Sequence, residues 1–193
     1  MHGRWGKILV TVRRARGALS LAAALLITAA CAGGDSEDDK NAALPRKSEK
    51  QALSEAQQYT EAMARYSGVV LSSGTAVKDV YDCVGKDDEI AEDGRFTLTY
   101  HIKGELPREK HIAAARRLSK ALEGHRITVD SLDERPGDDR PVILDGSVVG
   151  KQKERISLTV ESIEAPDGLQ YVVTTPCYLP PGVRQQRFGE GRT

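Results

Sequence analysis

The 193-residue chain carries 28 basic and 28 acidic side chains, so its formal net charge is zero. Five of the basic residues and none of the acidic ones lie in the first 30 positions, which leaves residues 31–193 with a net charge of −5. This negative excess argues against a nucleic-acid-binding protein, for which a basic patch is expected. It also argues against electrostatic attraction to anionic lipid headgroups.

Residues 1–30 have the organisation of a secretory signal peptide. Five basic residues precede an apolar run over Leu19–Ala30, and this run ends on small side chains. A membrane-spanning helix needs about 20 apolar residues, so the run is too short to be a good permanent anchor. A signal peptide cleaved from the mature chain is the better interpretation.

The end of this run, Thr28-Ala29-Ala30-Cys31, resembles the lipobox of bacterial lipoproteins. The resemblance implies that Cys31 receives a diacylglyceryl group and becomes the N-terminus of the mature chain. Two acyl chains are enough for stable membrane anchoring, which implies a lipid-anchored protein on the extracytoplasmic side of the cell membrane. An ordinary secretory signal cut after Ala30 or Ala32, or an uncleaved signal anchor, would explain the same segment differently.

The chain has three cysteines, Cys31, Cys83 and Cys177. If Cys31 carries lipid, the other two are left to form one disulfide bond, as suits an oxidising compartment. A metal site is the alternative use of Cys83 and Cys177. Neither has a second Cys or a His within four residues, so the ligand spacing typical of zinc sites is missing. We therefore expect a disulfide and no metal.

The composition divides residues 31–193 into three parts. Residues 31–49 are small, charged and interrupted by Pro45, so they bury too little apolar surface to fold and are expected to form a disordered tether. Residues 50–182 are expected to form a single domain. Residues 183–193 are polar and are expected to form a disordered tail.

Residues 50–66 have apolar side chains at spacings of three and four, which predicts a helix ending near Gly68. Residues 69–84 fit a helix about as well as a strand. The following acidic residues are interpreted as a solvated loop, because counting from Asp87 the sixth and twelfth positions lack the Gly and Glu of a calcium-binding EF-hand loop. Residues 95–103 alternate strictly between apolar and polar side chains and predict a half-buried strand.

The remaining segments predict one more helix and four more strands. The helix covers residues 108–123 and ends at Gly124. The strands cover residues 125–132, 142–150, 155–164 and 169–177, and the second of them is expected to break near Asp145-Gly146. This order predicts an α+β domain. Its single, mostly antiparallel sheet has a β-α-β-β-β core, and the helices pack on one face.

The β-α-β-β-β layout with Thr175-Pro176-Cys177 near its end resembles small lipoproteins of high-GC Gram-positive bacteria. This resemblance covers roughly residues 80–182. The family is uncharacterised, so the resemblance implies an envelope lipoprotein without implying an activity.

Catalytic and cofactor motifs are absent from the sequence. It has no nucleophile elbow, no phosphate-binding loop, no dinucleotide fingerprint and no zinc-protease motif, so no cofactor and no metal is expected. His101 lies on the polar side of a predicted strand and could act as a general base with Glu105 or Glu161. Without a nucleophile and an orienting group, this does not amount to a mechanism.

Two hypotheses follow for the function. The first is a lipid-anchored binding or accessory module of the cell envelope whose exposed sheet face docks a protein or glycan. The residues expected on that face are Thr97, Thr99, His101, Ser157, Thr159 and Glu161. The second is an envelope hydrolase of an unrecognised type that uses His101. The first hypothesis is favoured because catalytic motifs are missing and because the strands have one clearly polar side.

Overall fold

The computed structural model describes residues 41–84, 88–125, 127–134, 141–151, 153–164 and 166–188. The predicted signal peptide, Cys31, most of the predicted tether and residues 189–193 of the predicted tail lie outside these ranges. No helix within them is both long enough and apolar enough to cross a membrane.

The described chain folds into two helices and one six-stranded sheet. Helix α1 is Glu49–Ser67, and helix α2 is His111–Gly124, which a 3-10 turn over Arg108–Lys110 precedes. The strands are β1 (Leu71–Asp82), β2 (Phe96–Glu105), β3 (Thr128–Asp133), β4 (Ile143–Val149), β5 (Arg155–Ile163) and β6 (Gly168–Thr174).

The strand order across the sheet is β1-β2-β6-β5-β4-β3, and every pair of neighbouring strands is antiparallel. Helix α2 carries the chain from β2 to the far edge of the sheet. Strands β3 to β6 then return as a meander, which places β6 beside β2. The predicted α+β fold, with one antiparallel sheet and one disulfide, is confirmed.

The core lies between the helices and one face of the sheet. On β2, Leu98, Tyr100 and Ile102 point into it, where they join buried side chains such as Met63 of α1 and Leu118 of α2. Because successive side chains of a strand alternate between faces, the residues between them lie on the opposite face. The predicted alternation of β2 is confirmed.

Local signals define the limits of α1. The Ser48 hydroxyl accepts a hydrogen bond from the Gln51 backbone N–H at 3.3 Å, and the Gln51 side chain accepts one from the Ser48 N–H at 2.9 Å. This capping box satisfies N–H groups that the helix leaves unpaired. The helix ends at Gly68, whose φ of 75° is readily adopted by glycine.

The segment that the sequence left between helix and strand is the edge strand β1. Its pairing with β2 is interrupted, because Ser72 is opposite Lys103 and the next paired residue, Val77, is opposite His101. Four residues of β1 therefore face a single residue of β2, which is a large bulge. The bulge shifts the alternation of side chains, so no single period fits the whole segment.

The break expected near Asp145-Gly146 is wrong, because β4 is continuous through both residues. A Cβ atom at position 146 would lie 2.9 Å from the carbonyl oxygen of Thr128 on β3. Glycine is therefore used here to let the neighbouring backbone approach closely, and it does not turn the chain.

Residues 41–48 and 183–188 were expected to belong to a tether and a tail, but here they lie against the domain. Lys47 N–H donates to the Leu179 carbonyl oxygen at 3.2 Å, and Asn41 exchanges two hydrogen bonds with the Phe188 backbone at 3.1 and 2.8 Å. The ring of Phe188 is buried. The domain therefore extends beyond the predicted limits of 50 and 182 at both ends.

The predicted disulfide between Cys83 and Cys177 is present, with the Cα atoms 5.9 Å apart. Cys83 directly follows β1 at the edge of the sheet, and Cys177 lies three residues after β6. The bond joins two parts of the chain that are 94 residues apart in sequence.

Candidate functional site

The face of the sheet opposite the helices, which we call the open face, is the largest surface that the sequence analysis singled out. Neither of the two described helices lies on it, because both pack against the core side. All six strands contribute side chains to it. The residues on it include Val77, Asp79, Tyr81, Thr97, Thr99, His101, Lys103, Gln170, Val172, Thr174, Arg155, Ser157, Thr159, Glu161 and Asp145.

The six residues predicted for a binding face all lie on the open face, but in two groups. Thr97, Thr99 and His101 are on β2, and the other three are on β5, with β6 between the two strands. Since neighbouring strands are about 4.8 Å apart, the two groups are separated by about 10 Å. The structure thus places them on one surface without bringing them into contact.

The strand register fills the space between the two groups with side chains of β6. Thr174 lies between Thr99 and Ser157, and Val172 lies between His101 and Thr159. The centre of the open face is therefore made of hydroxyl groups and one valine. Sequence reasoning missed these β6 residues because strand order is not encoded in the local alternation.

Several side chains of the open face are fixed by hydrogen bonds within the sheet. Thr159 Oγ1 donates to Asp145 Oδ1 at 2.8 Å, and Gln170 Nε2 donates to Glu161 Oε1 at 3.1 Å. Thr97 Oγ1 donates to the Thr175 carbonyl oxygen at 2.7 Å. These side chains are ordered before any partner binds, which lowers the entropy that binding would cost.

Strand β1 adds two apolar side chains to the open face. Val77 is 45% exposed and Tyr81 is 56% exposed. They lie opposite His101 and Thr97 in the register. Aromatic side chains are enriched at protein interfaces, so Tyr81 belongs among the candidate contact residues. The sequence analysis did not include it, because the segment could not be assigned to a strand.

His101 is half-buried on the open face, and its cross-strand neighbours are the apolar residues Val77 and Val172. Among the described residues it makes no side-chain hydrogen bond. The Glu161 carboxylate accepts from Gln170. Across the sheet Glu161 is in register with Lys103 and not with His101. The arrangement therefore gives His101 neither a nucleophile nor an orienting group, and the hydrolase hypothesis has no structural observation in its favour.

A serine–histidine pair that the sequence analysis did not single out lies on the core side of the sheet. His111 is 2% exposed, and its Nε2–H donates to the Leu106 carbonyl oxygen at 2.8 Å. Since a carbonyl can only accept, Nε2 is the donor of this bond, and Nδ1 lies within hydrogen-bond distance of the Ser162 hydroxyl oxygen, at 3.0 Å. Ser162 in turn accepts from the Val142 N–H at 3.1 Å. The pair joins α2 to β5 and its histidine is shielded from solvent, so we assign it a structural role.

A shallow depression of about 360 Å³ lies between the N-terminal segment and α1. Two of its charged groups are paired with each other: Lys47 Nζ donates to Glu55 Oε2 at 2.5 Å and to the Tyr178 hydroxyl at 3.0 Å, and that hydroxyl donates to Glu55 at 3.0 Å. Burial and the nearby Glu55 carboxylate raise the pKa of Tyr178, so the hydroxyl remains a donor. The cluster ties the N-terminal segment to the end of the domain.

No group of three or more potential metal ligands is found among the residues that the structure describes. No protein-family model matches the chain, and a search of curated proteins gives no match either. The site must therefore be interpreted from its own geometry.

Proposed function

We propose that this protein is a membrane-anchored lipoprotein whose domain docks a protein or glycan of the cell envelope through the open face. In this proposal Cys31 carries the diacylglyceryl group, and the domain lies on the extracytoplasmic side of the cell membrane. The protein acts by binding and performs no chemical step.

The use of the cysteines supports the anchoring part of the proposal. Two of the three cysteines form the disulfide, a bond that is common in exported proteins and rare in cytosolic ones. Cys31, within the lipobox-like segment, is the one that remains. Lipidation would give this third thiol a role.

The observation that carries the docking part is the open face itself. The six-stranded sheet presents one continuous surface whose centre consists of threonine and serine hydroxyls around Val172, with Val77 and Tyr81 beside them. Internal hydrogen bonds already order several of these groups. A surface with a hydroxyl-rich centre and pre-ordered side chains suits recognition of another surface better than it suits catalysis, which needs a concave site.

The contacts of Asn41 limit the length of the tether that the proposal requires. Asn41 exchanges two hydrogen bonds with the Phe188 backbone, so in this proposal at most ten residues, from Cys31 to Asn41, separate the lipid from the domain. Ten residues span at most about 35 Å when fully extended. The partner is therefore expected close to the membrane surface.

Replacing Cys31 by serine is expected to move the protein from the membrane fraction to the soluble exported fraction, because serine cannot form the thioether to the lipid. The measurement is fractionation of the source cells together with metabolic labelling by palmitate. The double variant Cys83→Ala/Cys177→Ala is the matched control and should keep its label. A Cys31→Ser protein that stays in the membrane, or an unlabelled wild type, would contradict the anchoring proposal.

Replacing Thr99 and Thr159 together by lysine is expected to weaken partner binding about tenfold or more, a cost of about 1.4 kcal/mol. The two lysines place long, positively charged side chains at the centre of the open face, where they obstruct a docked partner and would have to lose hydration when it binds. The measurement is retention of solubilised envelope components by residues 32–193 on a column.

The matched control for this experiment is Gln58→Lys, which adds a charge to the exposed side of α1. Circular dichroism checks that each variant is folded. If the double variant and the control retain the same component equally well, the open face is not the docking surface.

A further inference from the structure

A small cavity of about 170 Å³ lies at the end of the sheet where β2 finishes and β6 begins. Its walls come from the bulge of β1, the last residues of β2 and the turn between β5 and β6. The side chains that line it and matter here are Thr75, Lys103, Glu105, Ile163, Pro166 and Asp167. This cavity lies at the margin of the open face and includes none of the six predicted face residues.

The bulge of β1 shapes one wall of the cavity. In place of the missing strand pairing, Thr75 Oγ1 accepts a hydrogen bond from the Lys103 N–H at 2.9 Å and donates one to the Ser72 carbonyl oxygen at 2.7 Å. These bonds satisfy backbone groups that the bulge would otherwise leave unpaired. Bulges are frequent beside binding sites, where they change the direction of the strand.

The opposite wall depends on a close approach of two backbones. A Cβ atom on Gly168 would overlap the carbonyl oxygen of Gly104, so no larger residue fits there without a shift of the strands. The Leu106 N–H also donates to the Asp167 carbonyl oxygen at 3.2 Å. The turn is thereby held against the end of β2, which fixes Asp167 near Glu105.

Three charged side chains line the cavity without neutralising one another. Lys103 and Glu105 are two residues apart on β2, so they point to the same side of the sheet. Asp167 is on the adjoining turn. Within the described parts of the chain, none of the three side chains forms a hydrogen bond or an ion pair, so one cationic and two anionic groups remain available to a ligand.

We propose that this cavity binds a small zwitterion of the α-amino acid class. The ligand's ammonium group lies between the Glu105 and Asp167 carboxylates, and its carboxylate pairs with Lys103. A short side chain contacts Ile163 and Pro166. The size limits the ligand, because pockets for drug-sized molecules measure about 300–1,000 Å³ and this cavity is smaller. The proposal depends on neither lipidation nor docking through the open face.

The test is a titration of ¹⁵N-labelled residues 32–193, which contain every described element, with glycine as the probe. We expect saturable shifts of the Gly104, Leu106 and Gly168 amide resonances. Acetate and ethylamine, each of which carries only one of the two charges, should bind about tenfold more weakly or worse. Lys103→Met and Glu105→Gln should each raise the dissociation constant for glycine about tenfold.

The matched control is Lys120→Met, which removes an exposed lysine of α2, a helix that does not line the cavity, and should leave the titration unchanged. Absence of a saturable shift in the folded wild type would overturn the proposal. Equal binding of ethylamine and glycine, with no effect of Lys103→Met, would also overturn it by showing a simple cation site. Neither outcome bears on the Thr99/Thr159 experiment, so the two proposals fail separately.

Discussion

Removing the disulfide by the double substitution Cys83→Ala/Cys177→Ala is expected to lower the free energy of unfolding by about 4–5 kcal/mol. The bond closes a loop across a sequence separation of 94 residues. An intact disulfide therefore removes much of the conformational freedom of the unfolded chain. A change of this size is a large fraction of the stability of an ordinary domain, about 5–15 kcal/mol.

The position of the bond adds a structural reason for a large effect. Cys83 follows the edge strand β1, which pairs on one side only, with β2. Cys177 belongs to the segment in which Tyr178 and Leu179 are fully buried. The disulfide therefore connects the edge strand to a part of the core. Its loss is expected to free the β1 end first, before the meander of β3 to β6.

Urea unfolding of residues 32–193, followed by circular dichroism, measures this change. The control is the wild type in a phosphine reductant, which should fall to the stability of the double variant. The variant itself should not respond to the reductant. A loss below about 1 kcal/mol would show that the denatured chain is not restrained by the bond, and the chain-entropy explanation would be rejected.

The elements that could be predicted from the sequence are those whose local pattern agrees with their environment. Strand β2 is buried on one face along its whole length, so its alternation of apolar and polar residues is unbroken. Strand β1 is different, because it has apolar side chains on both faces of the sheet. Val80 packs against the core, whereas Val77 and Tyr81 are exposed on the open face. The bulge then shifts the period within the strand. Neither a helix nor a strand template fits such a segment.

The chain ends were missed for another reason. Residues 41–48 and 183–188 are mostly polar, and they are held by bonds between positions far apart in sequence, such as Leu44 N–H to the Gln185 side chain at 3.0 Å. A local composition rule cannot detect partners that are 141 residues apart. The buried carboxylate of Asp93, whose side chain is 5% exposed beside the Arg95 guanidinium, was missed in the same way. Its run of acidic residues indicates a solvated loop unless a cation is known to lie beside one of them.

The candidate site could also be predicted only in part, because a local sequence pattern does not reveal which distant segments lie side by side. Alternation alone placed Thr97, Thr99 and His101 on a polar face, and the structure agrees. It could not show that β6 separates this group from the β5 group, because that depends on the return of the meander to β2. It also could not reveal the cavity beside Lys103, which three separate segments create.

Replacing Asp93 by alanine is expected to lower the free energy of unfolding by about 3–5 kcal/mol, the range found when one partner of a buried ion pair is removed. The side chains of Asp93 and Arg95 are 5% and 6% exposed, and Arg95 Nε and Nη2 donate to the two carboxylate oxygens at 2.8 and 2.5 Å. The Gln186 N–H also donates to this carboxylate, at 2.8 Å. The substitution would leave a buried guanidinium group without its counter-ion and would release the segment that carries Phe188.

The same pair predicts how stability depends on pH. Burial by itself would raise the pKa of Asp93, but the hydrogen bonds from Arg95 and from the Gln186 N–H outweigh it, so the pKa is lowered in the folded state. The stabilisation by this carboxylate is therefore fully present above the unfolded pKa of about 3.9. This stabilisation is lost as the pH falls from the unfolded pKa through the lower folded pKa. Protonation of the Asp93 carboxylate then removes its charge and with it the ion pair to Arg95.

Urea unfolding of wild type and Asp93→Ala at pH values from 7 down to 3 tests both expectations. The difference in unfolding free energy between the two proteins should be constant near neutrality and should narrow below about pH 4. Glu61→Ala, which removes an exposed carboxylate from α1, is the matched control and should change stability by less than about 0.5 kcal/mol. If Asp93→Ala behaved like this control, or if its deficit stayed the same at low pH, the ion pair would not be the group that holds the C-terminal segment to the sheet.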